Sequence, residues 1–454
     1  MYNAYVTRIK NLRKHPNADR LQLGECFGNT VCVSLEYADN QLGLYLPCDG
    51  QLSVEFAEAN NLLRKKDDAG NNCGGYMDPS KRNVTAIRLR GEKSDGLFLP
   101  LTCLESFGDV STLKEGDVIN TFNGHEICCK YIPRRNHRQG HVSDGNRTRK
   151  KKVDVAPLFA EHADTEQLAY NLGAFKPGDE IEITLKMHGT SQRTGYLPVF
   201  KGYKRTFKDW LLRRDGKPIY DWGYVSGTRR TVLDNYDGGY YGSNEFREQH
   251  SKTFEGKLWK GETVYYEVVG FTHTGAPIMA EGNNEKLGKD FVKQYGKTTV
   301  FSYGCDSVGG IDHDGVPYGP ESDIYVYRMT MTNEDGAVVE YTPDFMRYRC
   351  EQMGVKTVPV MWKGIIPAHT GDAAAIRLGQ DAGAWIKEKA ERFYDGPDPI
   401  GKTHVREGVV VRIVNRPKFC AYKHKNFSFK VLEGIIKDTA AAPDMEEAQE
   451  IEKE

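Results

Sequence analysis

The chain has 454 residues, 39% hydrophobic and 28% charged, with 62 Lys+Arg against 63 Asp+Glu for a formal net charge of −1. That length supports two or three domains with cores of their own, and the balanced charge excludes a global basic field, so a nucleic-acid partner would have to be held by a local patch. No apolar run reaches membrane-spanning length, the opening MYNAYVTRIKNLRKH has no apolar signal segment, and the ten cysteines include no CxxC pair; a cytoplasmic chain with mostly free thiols and no membrane partner is expected.

Residues 1 to about 130 read as short strands broken by Gly, Asn and Asp, among them LQLGECFG, TVCVSLEY, GLYLPCDG, AIRLRG and GLFLPL. This spacing predicts a small β-barrel or sandwich. Cys128 and Cys129 lie near His125, His137 and His141, but adjacent cysteines chelate one tetrahedral ion poorly, so structural thiols are expected rather than zinc. The stretch PRRNHRQGHVSDGNRTRKKK (133–152) is basic and nearly free of apolar residues. It reads as a tether or as a phosphate-contacting arm.

TEQLAYNLGAF predicts a short helix capped by Thr165. EIEITLKMHG predicts a strand running into a loop. Further strands are expected at TVYYEVVG, DIYVYRMTM, GVVVRIV and KFCAYKH, with helices at PDFMRYRCEQM and AAAIRLGQDAGAWIKEKAERF. Strands mixed with a few long helices, without regular βαβ spacing, indicate an α+β fold. The acidic tail after 440 is expected to fray.

The segment Lys186-Met187-His188-Gly189 carries the first chemistry. A lysine at a strand end before a glycine loop suits attack on a phosphate, provided that the amine is neutral when it attacks. Gly189 would let the backbone approach a nucleotide closely. Glu267 sits among apolar neighbours in TVYYEVVG, where an unpaired carboxylate is costly. Glu407 opens the apolar strand GVVVRI and fits a metal or ribose ligand. Lys423 and Lys425 alternate in AYKHKNFSFK, so both point to one strand face, where an anion between them would relieve their repulsion. Each residue also has a plain reading, as a solvated strand-end or strand-face charge.

The order KxHG, ExxG, EGVV, KxK resembles the collinear motifs of the covalent nucleotidyltransferases, the polynucleotide ligases and RNA-capping enzymes. By that resemblance Lys186 is the nucleophile that becomes adenylylated, Glu267 and Glu407 are acids for metal or ribose, and Lys423 and Lys425 hold phosphates. YVSGTRRT (224–231) is similar to a further motif in which Ser226 and Arg229 face the nucleotide or RNA end. DIYVYRMT is similar to another, in which Tyr327 stacks near adenine. His188, where DNA ligases and capping enzymes usually carry Asp, resembles the bacteriophage RNA ligase 2 group. Only 29 residues follow Lys425, too few for a C-terminal OB domain. Residues 14–21 (KHPNADRL) and 87–96 (IRLRGEKSDG) instead resemble the tRNA-binding OB module of some aminoacyl-tRNA synthetases. An N-terminal OB-like domain before a nucleotidyltransferase resembles the RNA ligase 5 family.

The resemblance implies an OB-fold at 1–132, a basic linker at 133–157, an ATP-grasp-like adenylyltransferase at 158–440 and an acidic tail at 441–454. It implies an ATP-dependent RNA ligase, working as a monomer with Mg²⁺ or Mn²⁺, that joins 3′-OH and 5′-phosphate RNA ends through lysyl-AMP. The alternatives are a DNA ligase or capping-type guanylyltransferase, and a non-catalytic RNA-binding protein. Leu185 stands where several relatives carry a Glu that contacts adenine, which leaves Glu166 or Gln167 to select the base.

Overall fold

The computed structural model describes residues 2–66, 70, 72–132, 153–212, 216–233, 236, 244–367 and 382–438. The basic stretch at 133–152, the tail after 438, and the first half of the helix expected at 373–393 lie outside them. The class is α+β. Among the described residues, no helix is long and apolar enough to cross a membrane.

The chain forms two compact units, each discontinuous in sequence, where the sequence reading drew contiguous domains. The first takes residues from Met1–Arg135, Gly282–Thr298 and Asn426–Pro443. Its strands form separate small antiparallel sheets. One has the order Leu97–Pro100, Leu42–Leu46, Ala4–Arg8, Val118–Ile119, and another joins Lys10–Lys14, Leu21–Cys26 and Asn29–Ser34. Val6, Leu44 and Leu46 of the first of these sheets share a buried core with Leu52, Phe56 and Leu104. Cys128 is buried in that core, donating to Ile119 O; His137 and His141 lie outside the described residues. The two stretches that suggested an OB module meet. His15 accepts the Asn17 N–H at Nδ1 (3.0 Å), which leaves Nε2 to donate to Leu89 O (3.1 Å), and Asn17 Nδ2 donates to Arg90 O (2.9 Å).

In the second unit the labelled elements are, in chain order, β1 (Glu180–Lys186), β2 (Thr190–Lys204), α1 (Phe207–Leu211), β3 (Lys217–Gly227), α2 (Glu245–Lys252), β4 (Glu262–Gly270), β5 (Ser322–Thr332), α3 (Pro343–Met353), β6 (Val360–Ile365), α4 (Ala382–Glu391), β7 (Gly408–Ile413) and β8 (Ala421–Lys425). They make two sheets. One is five-stranded, with the order Glu166–Gln167, β8, β7, β1, β6; the other begins β3, β2, β4, β5 and continues to Val338–Glu340.

Alternation builds both sheets. Ile181, Ile183 and Leu185 are buried along β1. The first two pack with Val409, Val411 and Ile413 of β7 onto Ile386 and Ala390 of α4. Val264, Tyr266 and Val268 of β4 face Met346, Cys350 and Met353 of α3. Thr342 caps α3 by accepting the Phe345 N–H, and Gly354 ends it in the left-handed conformation, as capping chemistry requires.

The helix expected at 165–175 is not formed. Glu166 and Gln167 pair in parallel with Tyr422 and Lys423 of β8, and two 3-10 turns follow at Leu168–Tyr170 and Leu172–Ala174. Pairing with a sheet edge prevailed over local helix preference, and Thr165 caps nothing there. Immediately after β8, the helix α5 (Phe427–Asp438) belongs to the first unit. Asn426 caps it by accepting the Ser428 N–H. Its Phe427 ring lies 5.3 Å from Lys93 Nζ, and Lys430 Nζ meets Asp95 Oδ2 at 2.6 Å. Its Leu432 packs over Gly282.

Candidate active site

The burial of Ile181, Ile183 and Leu185 on one face of β1 turns Lys186 to the other. The ladder then gathers the charges. Lys186 stands opposite Gly408, and Gly408 opposite Lys425, across three adjacent strands. Glu407 precedes Gly408, so its carboxylate sits between the two lysines. Lys186 Nζ is 2.7 Å and Lys425 Nζ 3.4 Å from Glu407 Oε1. Gly408 has φ +151°, and a Cβ there would stand 2.1 Å from His424 O, so only glycine lets β7 and β8 close at this point.

Glu407 is 2% exposed against 23% for Lys186. Burial alone would raise its pKa, but the Lys186 and Lys425 ammonium groups and His188 hold it well below the usual carboxylate range. Lys423 lies two residues before Lys425 on the same face of β8, opposite Val410. Glu166 and Gln167, considered for base selection, run beside it at the sheet edge.

The loop Met187–Gly189 carries the chain from one sheet to the other. Its His188 Nδ1 is 3.4 Å from Glu407 Oε2. The His188 N–H donates to Tyr303 Oη at 2.6 Å, and the His188 ring meets Phe301 edge-on at 4.6 Å. Phe301 and Tyr303 both pack on the buried His404 ring. Gly189 proves to be required by β4: a Cβ would lie 2.4 Å from Val268 O and 2.8 Å from Glu267 Cγ. Glu267 is therefore directly beneath the loop. It is the one half-buried residue of a strand buried everywhere else.

A second cluster lies along β2. Ser191 pairs across the ladder with Glu267 and shares a 2.8 Å hydrogen bond with the Tyr327 hydroxyl. The His162 ring meets Tyr327 edge-on at 5.5 Å. Asp164 lies 3.6 Å from Arg229 Nε and 3.0 Å from Arg230 Nη2. Burial, then Arg229 and Arg328, push the His162 pKa down to about 3 against the pull of Asp164, so the ring is neutral. Arg193 stacks over Phe159 and donates to the Phe159, Ala160 and Thr228 carbonyls, tying 159–164 and 228–230 to β2.

Lys186, His188 and Lys425 thus all meet Glu407, and the Gly189 backbone packs on Glu267. Tyr327 and Arg229 fall in the neighbouring cluster. Ser226, expected to face the nucleotide or the RNA end, is buried; its hydroxyl donates to Arg193 O and accepts from Gln192 Nε2. The sequence reading did not find His162, Asp164, Tyr303 or His404. All four lie in irregular segments where no periodicity marks them.

Among the described residues, no three His, Cys, Asp or Glu side chains converge as a ready metal cage. Apart from the 3.4 Å approach of His188 Nδ1, Glu407 Oε2 is buried without a hydrogen-bond partner among the described residues. One or two hard carboxylate oxygens, rather than a cage, fit Mg²⁺ or Mn²⁺ ions that take their remaining ligands from phosphate and water.

No protein-family model and no curated protein matches the sequence. Solved structures do match. A Naegleria gruberi RNA ligase variant with ATP and Mn is 14% identical, with a TM-score of 0.52 over 94% of this chain and 98% of that one. The same ligase with PPi is 15% identical, TM-score 0.52, over 97% and 99%. A variant with AMP and Mn is 15% identical, TM-score 0.53, over 94% and 97%. Along nearly its whole length, the chain has the fold of that RNA ligase.

Proposed function

We propose that this chain is an ATP-dependent RNA ligase that joins 3′-OH and 5′-phosphate ends, in the cytoplasm and as a monomer. The observation that carries the reading is the ladder register Lys186, Gly408, Lys425, which sets two ammonium groups on the buried Glu407 at the mouth of a glycine loop. The fold neighbours add to it: the Naegleria ligase has been solved with ATP, with AMP and with pyrophosphate, the nucleotide consumed and the two small molecules released over the whole sealing sequence.

Lys186 would leave Glu407, lose a proton and attack the α-phosphorus of ATP. The P–N bond forms as the α–β phosphoanhydride breaks and pyrophosphate departs. A 5′-phosphate oxygen of the RNA then displaces the lysine, giving an RNA 5′-adenylate. A 3′-OH finally attacks that 5′-phosphorus, forming the phosphodiester and releasing AMP. These are displacements at phosphorus, where positioning and charge neutralisation supply most of the rate. Lys425 and Lys423 line the face on which the phosphates would rest, and His188 and Tyr303 fix the loop. Glu407 and Glu267 would hold the divalent ion, which when bound offsets phosphate charge. Tyr327, Arg229 and Asp164 form the neighbouring wall for base, ribose or RNA end. The first unit is read as the OB-like, RNA-binding part, supported by the contact of the His15 turn with the 86–95 hairpin.

With α-labelled ATP and a denaturing gel, the wild type is expected to carry label and Lys186→Ala none. A labelled Lys186→Ala protein would refute the assignment. Labelling with GTP in place of ATP, or sealing of DNA nicks but not RNA nicks, would move the reading to a capping enzyme or a DNA ligase.

A further inference from the structure

The strands β2 and β3 do not stop at the edge of their sheet. The pairing of β2 with β4 ends at Gly195, while β2 and β3 stay paired out to Lys204 and Lys217. The nine residues 196–204 make a two-stranded ribbon about 30 Å long. Its inner part is anchored: Leu197, Val199 and Val225 pack on Ala156 and Phe159, and the Phe200 N–H donates to Val155 O. Among the described residues, its outer part, with α1 at the tip, has no such backing. Phe207 is 78% exposed and Trp210 65% exposed, and their rings stack at 5.7 Å and 29°.

Two stacked aromatic rings in water are costly on a monomer surface and mark a docking site. Charge identifies the occupant. Residues 201–221 hold seven Lys or Arg and three Asp, a local +4 in a chain whose net charge is −1. Along the chain the cations run through the same stretch as the rings, whereas a protein interface is depleted of charge at its centre. In chain order Lys201 and Lys204 precede Phe207, Lys208 falls between it and Trp210, and Lys217 follows, and all four lysines are exposed. Alternating cations and flat rings match the alternating phosphates and bases of a single strand.

We infer that the outer β2–β3 ribbon and α1 dock single-stranded RNA beside the break, with bases stacked on Phe207 and Trp210 and phosphates on the four lysines. The choice of RNA rests on the ligase reading above; the ribbon itself needs only a single-stranded polyanion with bases.

The test is anisotropy of a labelled single-stranded oligoribonucleotide titrated with full-length protein over a range of salt. Phe207→Ala/Trp210→Ala is expected to weaken binding at least about tenfold without changing the salt dependence. Lys204→Gln/Lys208→Gln/Lys217→Gln is expected to flatten the slope of log K against log salt by about 0.7 per lost phosphate contact. Both variants should form lysyl-AMP at the wild-type rate, because no altered residue touches Lys186 or its partners. Ultraviolet crosslinking of the wild-type protein should place the oligonucleotide on 201–217, a readout that needs no variant to fold. Unchanged affinity in both variants, or crosslinks only elsewhere, would overturn the inference. So would loss of binding to anionic lipid vesicles or to a protein partner while RNA affinity stays constant. Absence of lysyl-AMP in the wild type would sink the ligase reading instead and leave the binding result standing.

Discussion

Gly189→Ala is the sharpest probe of the loop. The added methyl would stand 2.4 Å from Val268 O and 2.8 Å from Glu267 Cγ and Val269 Cγ1. Ordinary carbon–oxygen contacts are about 3.4 Å, so one side must retreat by about 1 Å. The carbonyl cannot: it belongs to β4, which is paired with β2 on one side and β5 on the other. The loop must move, and it carries His188 and follows Lys186 directly. A 1 Å misplacement costs about 100-fold in rate, equivalent to roughly 2.7 kcal/mol of barrier, and overpacking removes about 1–3 kcal/mol of stability. Single-turnover appearance of labelled lysyl-AMP reads the first effect and thermal unfolding the second. Gly173→Ala is the control, because its methyl would meet nothing within 4 Å. A wild-type labelling rate in Gly189→Ala would show that the tight contact with β4 does not set the loop's position.

Three further outcomes are expected. Tyr303→Phe removes the acceptor of the His188 N–H and should slow lysyl-AMP formation by roughly 5- to 100-fold, the cost of an unsatisfied buried donor, while leaving the circular dichroism spectrum intact. Glu262→Ala strands Arg349, whose guanidinium makes two 2.8 Å bonds to the fully buried carboxylate; a loss of about 3–5 kcal/mol is expected, read as a fall in unfolding temperature of roughly 10 °C. Stability should fall as pH drops below about 6.5, because burial holds His162 near about 3 and His250 near about 4. The unfolded chain then binds protons that the folded one refuses, and His250→Gln should shallow that slope in urea titrations across pH.

The sequence disclosed the residues that meet at Glu407 better than the elements around them. Lys186, Glu407 and Lys425 were legible because each sits at or beside the end of a short apolar strand whose alternation fixes its face. Their contact follows from the ladder register, which no single segment records. Gly189 was singled out for close approach to a nucleotide, and the structure adds a second demand, a carbonyl of β4 where a Cβ would stand. The segment 165–175 misled because its helix-forming residues are spent on an edge pairing with β8. Nor did the ribbon stand out as two long strands, since Gly195, Pro198 and Gly202 interrupt the alternation of β2. Tyr303 and His404 act from irregular segments more than a hundred residues beyond the loop that they brace.

One peptide bond has practical weight. Lys425 closes the strand that reaches Glu407, and Asn426 begins the helix whose Phe427, Lys430 and Leu432 complete the other unit. No single cut can therefore yield two self-sufficient fragments. A shortened chain ending at 425 would leave Asp95 without its ammonium partner and Gly282 without its leucine. A fragment covering only the first 132 residues would lack the same plug, so dissecting this protein means stitching non-adjacent pieces together rather than trimming from either end.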